Sequence, residues 1–142
     1  MSFWDSSAIV PLCVYQQNSN TARRLSRRFV EKVAWREYVV EVSSAFARLA
    51  REGTIDEPTR EQFEGRLVSL EIEFTVVNYQ DRITKLARTF PSLYRLKAMD
   101  SLQLAAALVW CKEFPKNKDF VSSDRQLLAA AEQIGFVVHD LS

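Results

Sequence analysis

The 142-residue chain is 47% hydrophobic and 26% charged, with a formal net charge of +1. That size and balance fit one compact domain, residues 1–142, with a sizeable core, and argue neither for a general polyanion binder nor for an acidic solvating protein. No apolar run approaches the ~18 residues that would span a bilayer, and no basic lead-in precedes a long apolar stretch, so no membrane partner and a cytoplasmic location are expected.

In chain order, short apolar runs alternate with longer amphipathic ones, the pattern of strand and helix units around a mainly parallel sheet. Ser2–Asp5 reads as a first strand. Ser6 or Ser7 then caps a helix running through Val10 to Tyr15, with Pro11 tolerated in its opening turn. A second helix is expected from Thr21 to about Lys32, a strand at Val33–Trp35, and a third helix from Glu37 to Glu52 that closes at Gly53. Asp56-Glu57-Pro58 opens a helix to about Leu70, since proline is preorganised for a first helical position and acids suit the positive end of the dipole. Ile72–Val77 reads as a strand, and Tyr79 to about Phe90 as a helix stopped by Pro91. Asp100 opens an Ala- and Leu-rich helix to about Phe114. Phe120-Val121 is a strand, Arg125–Ile134 a helix closed by Gly135, and Phe136–Val138 the last strand.

Four carboxylates fall on these elements in a recurrent way. Asp5 and Asp124 follow strands, where ligands of parallel α/β sheets collect, Asp100 begins a helix, and Glu41 lies inside one. Tyr38, Val42, Ala45 and Leu49 define one face of that helix. Glu41 falls about 60° to its side, on a strip shared with Glu37 and Arg48, at the rim of the core. Ionised carboxylates amid apolar neighbours are costly to desolvate and repel one another, so several gathered together call for a cation. Taken singly, Asp100 and Asp124 are also ordinary helix caps, and Glu41 an ordinary solvated residue beside Arg48.

Other chemistry is less well provided for. Cys13 and Cys111 are far apart, with no zinc spacing and no disulfide framework, and read as reduced core thiols. The lone His139 makes no triad with the serines. Positive charge is concentrated in Arg23, Arg24, Arg27, Arg28, Lys32 and Arg36, opposed only by Glu31. The aromatic rings of Trp4, Trp35 and Trp110 sit at apolar positions suited to core packing.

Trp4-Asp5-Ser6-Ser7-Ala8-Ile9-Val10, Glu41-Val42-Ser43-Ser44-Ala45-Phe46-Ala47-Arg48-Leu49, Asp100-Ser101-Leu102-Gln103-Leu104-Ala105-Ala106-Ala107 and Val121-Ser122-Ser123-Asp124-Arg125-Gln126-Leu127 together resemble the PIN-domain family, in particular the VapC-type toxins of prokaryotic toxin–antitoxin pairs. The likeness covers nearly the whole chain. Where the family commonly has Asp-Ala-Leu this chain has Asp100-Ser101-Leu102, and where threonine is common before the last acid it has Ser122. The resemblance implies an α/β, PIN-like three-layer sandwich with about five short strands. It implies that Asp5, Glu41, Asp100 and Asp124 are both the catalytic and the metal-ligating set, with Asp124 chosen over Asp119 because it follows the strand.

The same resemblance implies endoribonuclease activity with one or two Mg²⁺ or Mn²⁺ ions and water as the nucleophile. Ser7 and Ser122 would orient the acids or a metal-bound water, and Arg48 would meet a substrate phosphate or the acids themselves. Arg23, Arg24, Arg27 and Arg28 are candidate RNA phosphate contacts, against the alternative of a solvated helix face. A VapB-type antitoxin and a homodimer are the expected partners, with the Phe46 and Leu49 face as a docking groove. Two other readings are a catalytically degenerate PIN scaffold and a receiver-like phosphorylation switch. The switch wants a paired acid after the first strand and a lysine ending a late strand, whereas this chain offers Asp5 with serines and no such lysine beyond Lys118.

Overall fold

A computed structural model describes residues 1–142. Five short strands, β1 (Ser2–Trp4), β2 (Lys32–Trp35), β3 (Phe74–Val77), β4 (Asp119–Ser122) and β5 (Val137–Asp140), form one sheet in the order β3-β2-β1-β4-β5, with every neighbouring pair parallel. Eight helices connect them: α1 (Ser6–Cys13), α2 (Ser19–Arg28), α3 (Tyr38–Arg51), α4 (Glu57–Glu71), α5 (Gln80–Ala87), α6 (Phe90–Tyr94), α7 (Ala98–Trp110) and α8 (Arg125–Ile134). The expected α/β class and three layers are therefore observed, and the sheet is parallel throughout. No helix is long and apolar enough to cross a membrane.

Because successive strand residues point to opposite faces, the sheet divides the core in two. Phe3, Val33, Trp35, Val77 and Phe120 pack under α5–α8, while Trp4, Ala34, Phe74 and Val121 pack under α1–α4. Both faces of the three central strands β2, β1 and β4 are covered and these strands are buried nearly throughout, whereas the edge strands β3 and β5 are partly exposed. Trp4 and Trp35 are buried in these layers, as expected of core rings, and Trp110 packs partly buried against Phe3. Cys13 and Cys111 are buried free thiols.

Several element boundaries differ from the sequence expectation, each for a local reason. Helix α1 stops at Cys13 rather than Tyr15, and Pro11 stands in its interior, not its opening turn. Helix α2 runs Ser19–Arg28 instead of continuing to Lys32. Lys32 begins β2, and its ammonium donates to the carbonyls of Ser26 and Phe29 that the ended helix leaves open. Pro91 does not stop a helix but opens α6, at a position where its missing N–H costs nothing. Helix α7 ends at Trp110 because Lys112 and Glu113 turn left-handed, with φ of 54° and 63°. Ile72 is exposed at the end of α4 rather than in β3, and the last strand starts one residue after Phe136.

The closure of α3 follows its glycine. Gly53 takes φ 75°, and the Thr54 and Gly53 amides donate to the carbonyls of Leu49 and Ala50, a pairing that a side chain at this backbone angle disfavours.

Candidate active site

The order of the strands decides where a site can form. The chain steps outward from β1 to β2 to β3, then returns across the sheet to lay β4 on the other side of β1. At such a reversal the connections leave the strand ends in opposite directions, and a crevice opens beyond the carboxyl ends of the two central strands. Trp4 of β1 lies opposite Val121 of β4, so Asp5 and the Ser122-Ser123-Asp124 segment emerge there side by side. The Asp5 amide donates to the Val121 carbonyl and fixes that juxtaposition.

A cleft of about 540 Å³ occupies this position. Asp5, Glu41, Asp100 and Asp124, the four acids expected from the sequence, all line it, with Ser7 and Arg48. Asp119, by contrast, is the first residue of β4, in register with Ser2, and pairs with His139 at the opposite end of the sheet.

Each acid is placed by a different device. Asp5 is 4% exposed and caps α1, one carboxylate oxygen accepting from the Ser7 amide at 3.3 Å and the other from the Ser7 hydroxyl at 2.7 Å. The expected capping by Ser6 or Ser7 is thus corrected: the aspartate before them does it. Asp124 caps α8 through the Leu127 amide at 3.0 Å. Asp100 lies in the first turn of α7 without capping it. Glu41, in the first turn of α3, accepts at one oxygen, Oε1, from Ser6 Oγ at 2.9 Å and from Gln103 Nε2 at 2.6 Å. It forms no ion pair with Arg48.

Hydroxyls link the two strand ends. The single proton of Ser7 Oγ goes to Asp5, and Ser122 Oγ lies 3.3 Å from Ser7 Oγ and accepts from the Asp124 amide at 3.0 Å. Ser7 Oγ also accepts from the Ser123 amide at 3.0 Å. Pro11 completes the join. Lacking an N–H, it leaves the Ser7 carbonyl without its helical donor, and Ser123 Oγ donates to that carbonyl at 3.3 Å. The interior proline is therefore a docking point for the β4 turn.

The electrostatics follow from burial and from crowding of like charge. Burial raises the Asp5 carboxyl from 3.8 to about 7 against the pull of its Ser7 and Ser122 hydrogen bonds, with the Glu41 charge adding to the rise. Burial, then the charges of Asp124 and Glu41, raise Asp100 to about 6, opposed by Lys97. An all-oxygen anionic donor set of this kind suits a hard divalent cation such as Mg²⁺ or Mn²⁺, whose charge would offset the repulsion. The spacing is that of an open cleft, and no group of three or more His, Cys, Asp or Glu side chains is set closely enough to hold an ion as placed. The donor chemistry fits, and the side chains would have to draw in to hold a cation.

Some sequence expectations fall elsewhere. Arg23, Arg24, Arg27 and Arg28 are exposed on α2, and none lines the acidic cleft. Arg23 instead lies over the ring of exposed Tyr15, 5.5 Å from its centroid. Phe46 cannot belong to a docking groove, because it is wholly buried against Phe63. Leu49 does line the cleft, with Val10, Val40, Ala45 and Met99 forming its apolar wall. Two residues at the site went unread in the sequence, Ser6 and Gln103. The signal available for Gln103 was a lone amide in the otherwise apolar stretch Leu102–Val109, one turn after Asp100.

No family model matches the chain, and no curated protein matches it.

Proposed function

We propose that the chain is a metal-dependent endoribonuclease acting as the toxin of a toxin–antitoxin pair. The observation that carries this reading is the convergence of Asp5, Glu41, Asp100 and Asp124 on one cleft at the strand-order reversal. These four residues reach the cleft from β1, α3, α7 and the β4–α8 turn. In this reading Asp5, Glu41 and Asp100 hold Mg²⁺ or Mn²⁺, and Asp124 does so directly or through water. A bound ion would neutralise phosphodiester charge and lower the pKa of an attacking water.

The chain's own residues divide the remaining work. Ser7 keeps the Asp5 carboxylate turned to the cleft, and Ser122 ties it to the Asp124 turn. Arg48, at the mouth and free of any ion pair, is placed to take a phosphate of the RNA. The α2 arginines would add only a salt-sensitive, sequence-independent attraction from outside the cleft. The reading brings with it a VapB-type antitoxin, for which the apolar wall from Val10 to Met99 beside the acids is the available seat, and a homodimer.

The test is cleavage of total cellular RNA with Mn²⁺ or Mg²⁺ by the wild-type chain and by Asp100→Asn, both shown to be folded by circular dichroism. Cleavage that chelation abolishes and that the folded variant lacks supports the proposal. Equal activity in the two chains refutes it. A chain that sediments as a monomer at micromolar concentration would remove the dimer from it.

A further inference from the structure

Gln103 is 1% exposed, in the middle of α7, surrounded by an apolar stretch that gives a polar side chain nothing to solvate it. Its Nε2 donates to Glu41 Oε1 at 2.6 Å and to Ser6 Oγ at 2.8 Å, and Ser6 Oγ donates to the same Glu41 oxygen at 2.9 Å. The three groups close a small ring that joins α7, α1 and α3 beneath the floor of the cleft. The amide carbonyl, Gln103 Oε1, has no partner at all.

That orphaned oxygen is informative. Turning the amide over would strand both N–H groups and set the carbonyl 2.6 Å from a carboxylate oxygen, so the orientation is dictated by Glu41. A residue selected only for packing would be a leucine or methionine here, which fills the space without burying an unmet acceptor. The side chain bears that cost while placing both of its N–H groups, one directly and one through Ser6, at the service of a single oxygen. Glu41 Oε1 is thereby saturated, and Oε2 makes no hydrogen bond.

We infer that Gln103, with Ser6, is a positioning residue that clamps Glu41 by Oε1 and presents Oε2 alone to a divalent cation in the cleft. This rests on the ribonuclease reading of the site. The clamp fixes a side chain that would otherwise sample three rotatable bonds on the rim of α3, which is how hydrogen-bonded supports around metal ligands commonly strengthen binding. It also accounts for an amide placed one turn beyond Asp100. One helix then delivers an acid to the cleft and the support for another acid at its floor.

The experiment has two arms. In the metal-free wild-type protein, the Gln103 Nε2 protons should exchange slowly with solvent in ¹⁵N spectra and shift when Glu41 is replaced in Glu41→Ala. Rapid exchange, or indifference to Glu41→Ala, overturns the clamp. In the second arm, Gln103→Met, which keeps the length of the side chain and removes its donors, should bind Mn²⁺ about 10–100-fold more weakly by calorimetry with its melting temperature retained. Wild-type affinity in the folded variant overturns the inference, and if that variant does not fold, Ser6→Ala should show a smaller weakening in the same direction. A wild-type chain that bound no Mn²⁺ would instead refute the ribonuclease reading, while the amide protons still decide whether Glu41 is clamped.

Discussion

Asp5→Asn should change the pH dependence of stability in a direction opposite to that of most acidic residues. Burial raises the Asp5 carboxyl from 3.8 to about 7, so the folded protein binds a proton that the unfolded chain has already released. The favourable contribution is complete below the unfolded value and is lost as pH rises through the folded one. Above pH 5 it declines by up to about 1.36 kcal/mol per unit, levelling off through pH 7, and by pH 8 about 2.6 kcal/mol has been lost. Asparagine keeps the shape and can still accept from the Ser7 amide, but carries no charge to desolvate. Urea unfolding of the chelator-treated proteins from pH 5 to pH 8 gives the comparison, since subtracting the variant from the wild type removes the titrating groups that are not coupled to Asp5. The wild type should lose roughly 2–3 kcal/mol more than the variant over this range, and millimolar Mn²⁺ should abolish the difference by stabilising the ionised form. Parallel curves in the absence of metal would refute the account of Asp5 as a carboxylate held at an energetic cost.

The two roles of Asp124 can be separated. Asp124→Ser keeps a good cap on α8 and should unfold within about 0.5 kcal/mol of wild type, whereas Asp124→Ala should lose about 1 kcal/mol. Both should weaken Mn²⁺ binding, measured by calorimetry. Asp119→Asn, at the other end of the sheet, should leave Mn²⁺ affinity and RNA cleavage unchanged. Phe46→Ala should cost about 3–5 kcal/mol in denaturant unfolding, as a core deletion does. Cys13, whose thiol burial pushes up to about 11, should resist thiol reagents in the native protein and react only on unfolding.

The sequence carried the architecture further than it carried the site's supports. Alternating apolar runs and amphipathic stretches located all five strands and most helices, because both periodicities are local properties of the chain. Boundaries moved where tertiary partners intervened, as when Lys32 left α2 to begin β2 while still capping its carbonyls. The four acids were legible through their recurrence at strand and helix ends and the motifs around them, since Asp100 and Asp124 taken singly read as ordinary caps. Gln103 and Ser6 were not, since an uncharged amide and a serine beside a helix start are unremarkable until Glu41 is brought between them from a third element. Pro11 was misjudged for the same reason. Its compensation, the Ser123 hydroxyl, lies 112 residues later in the sequence, where no local pattern points back to it.

The placement of β4 beside β1 has a consequence for the timing of assembly during synthesis. Asp5, Glu41 and Asp100 leave the ribosome before residues 119–123 do, yet the Asp5 amide donates to Val121 and the Ser7 hydroxyl and carbonyl both accept from Ser123 on that later segment. A nascent chain that has not yet released β4 holds three of the carboxylates, with Glu41 already tied to α1 and α7 through Ser6 and Gln103, but lacks the segment that braces Asp5 and Ser7 and leads into Asp124. The cleft is thus completed late in translation, and a transcript truncated before Asp119 would encode three of the acids without the strand that closes the Asp5 side of the cleft and delivers Asp124.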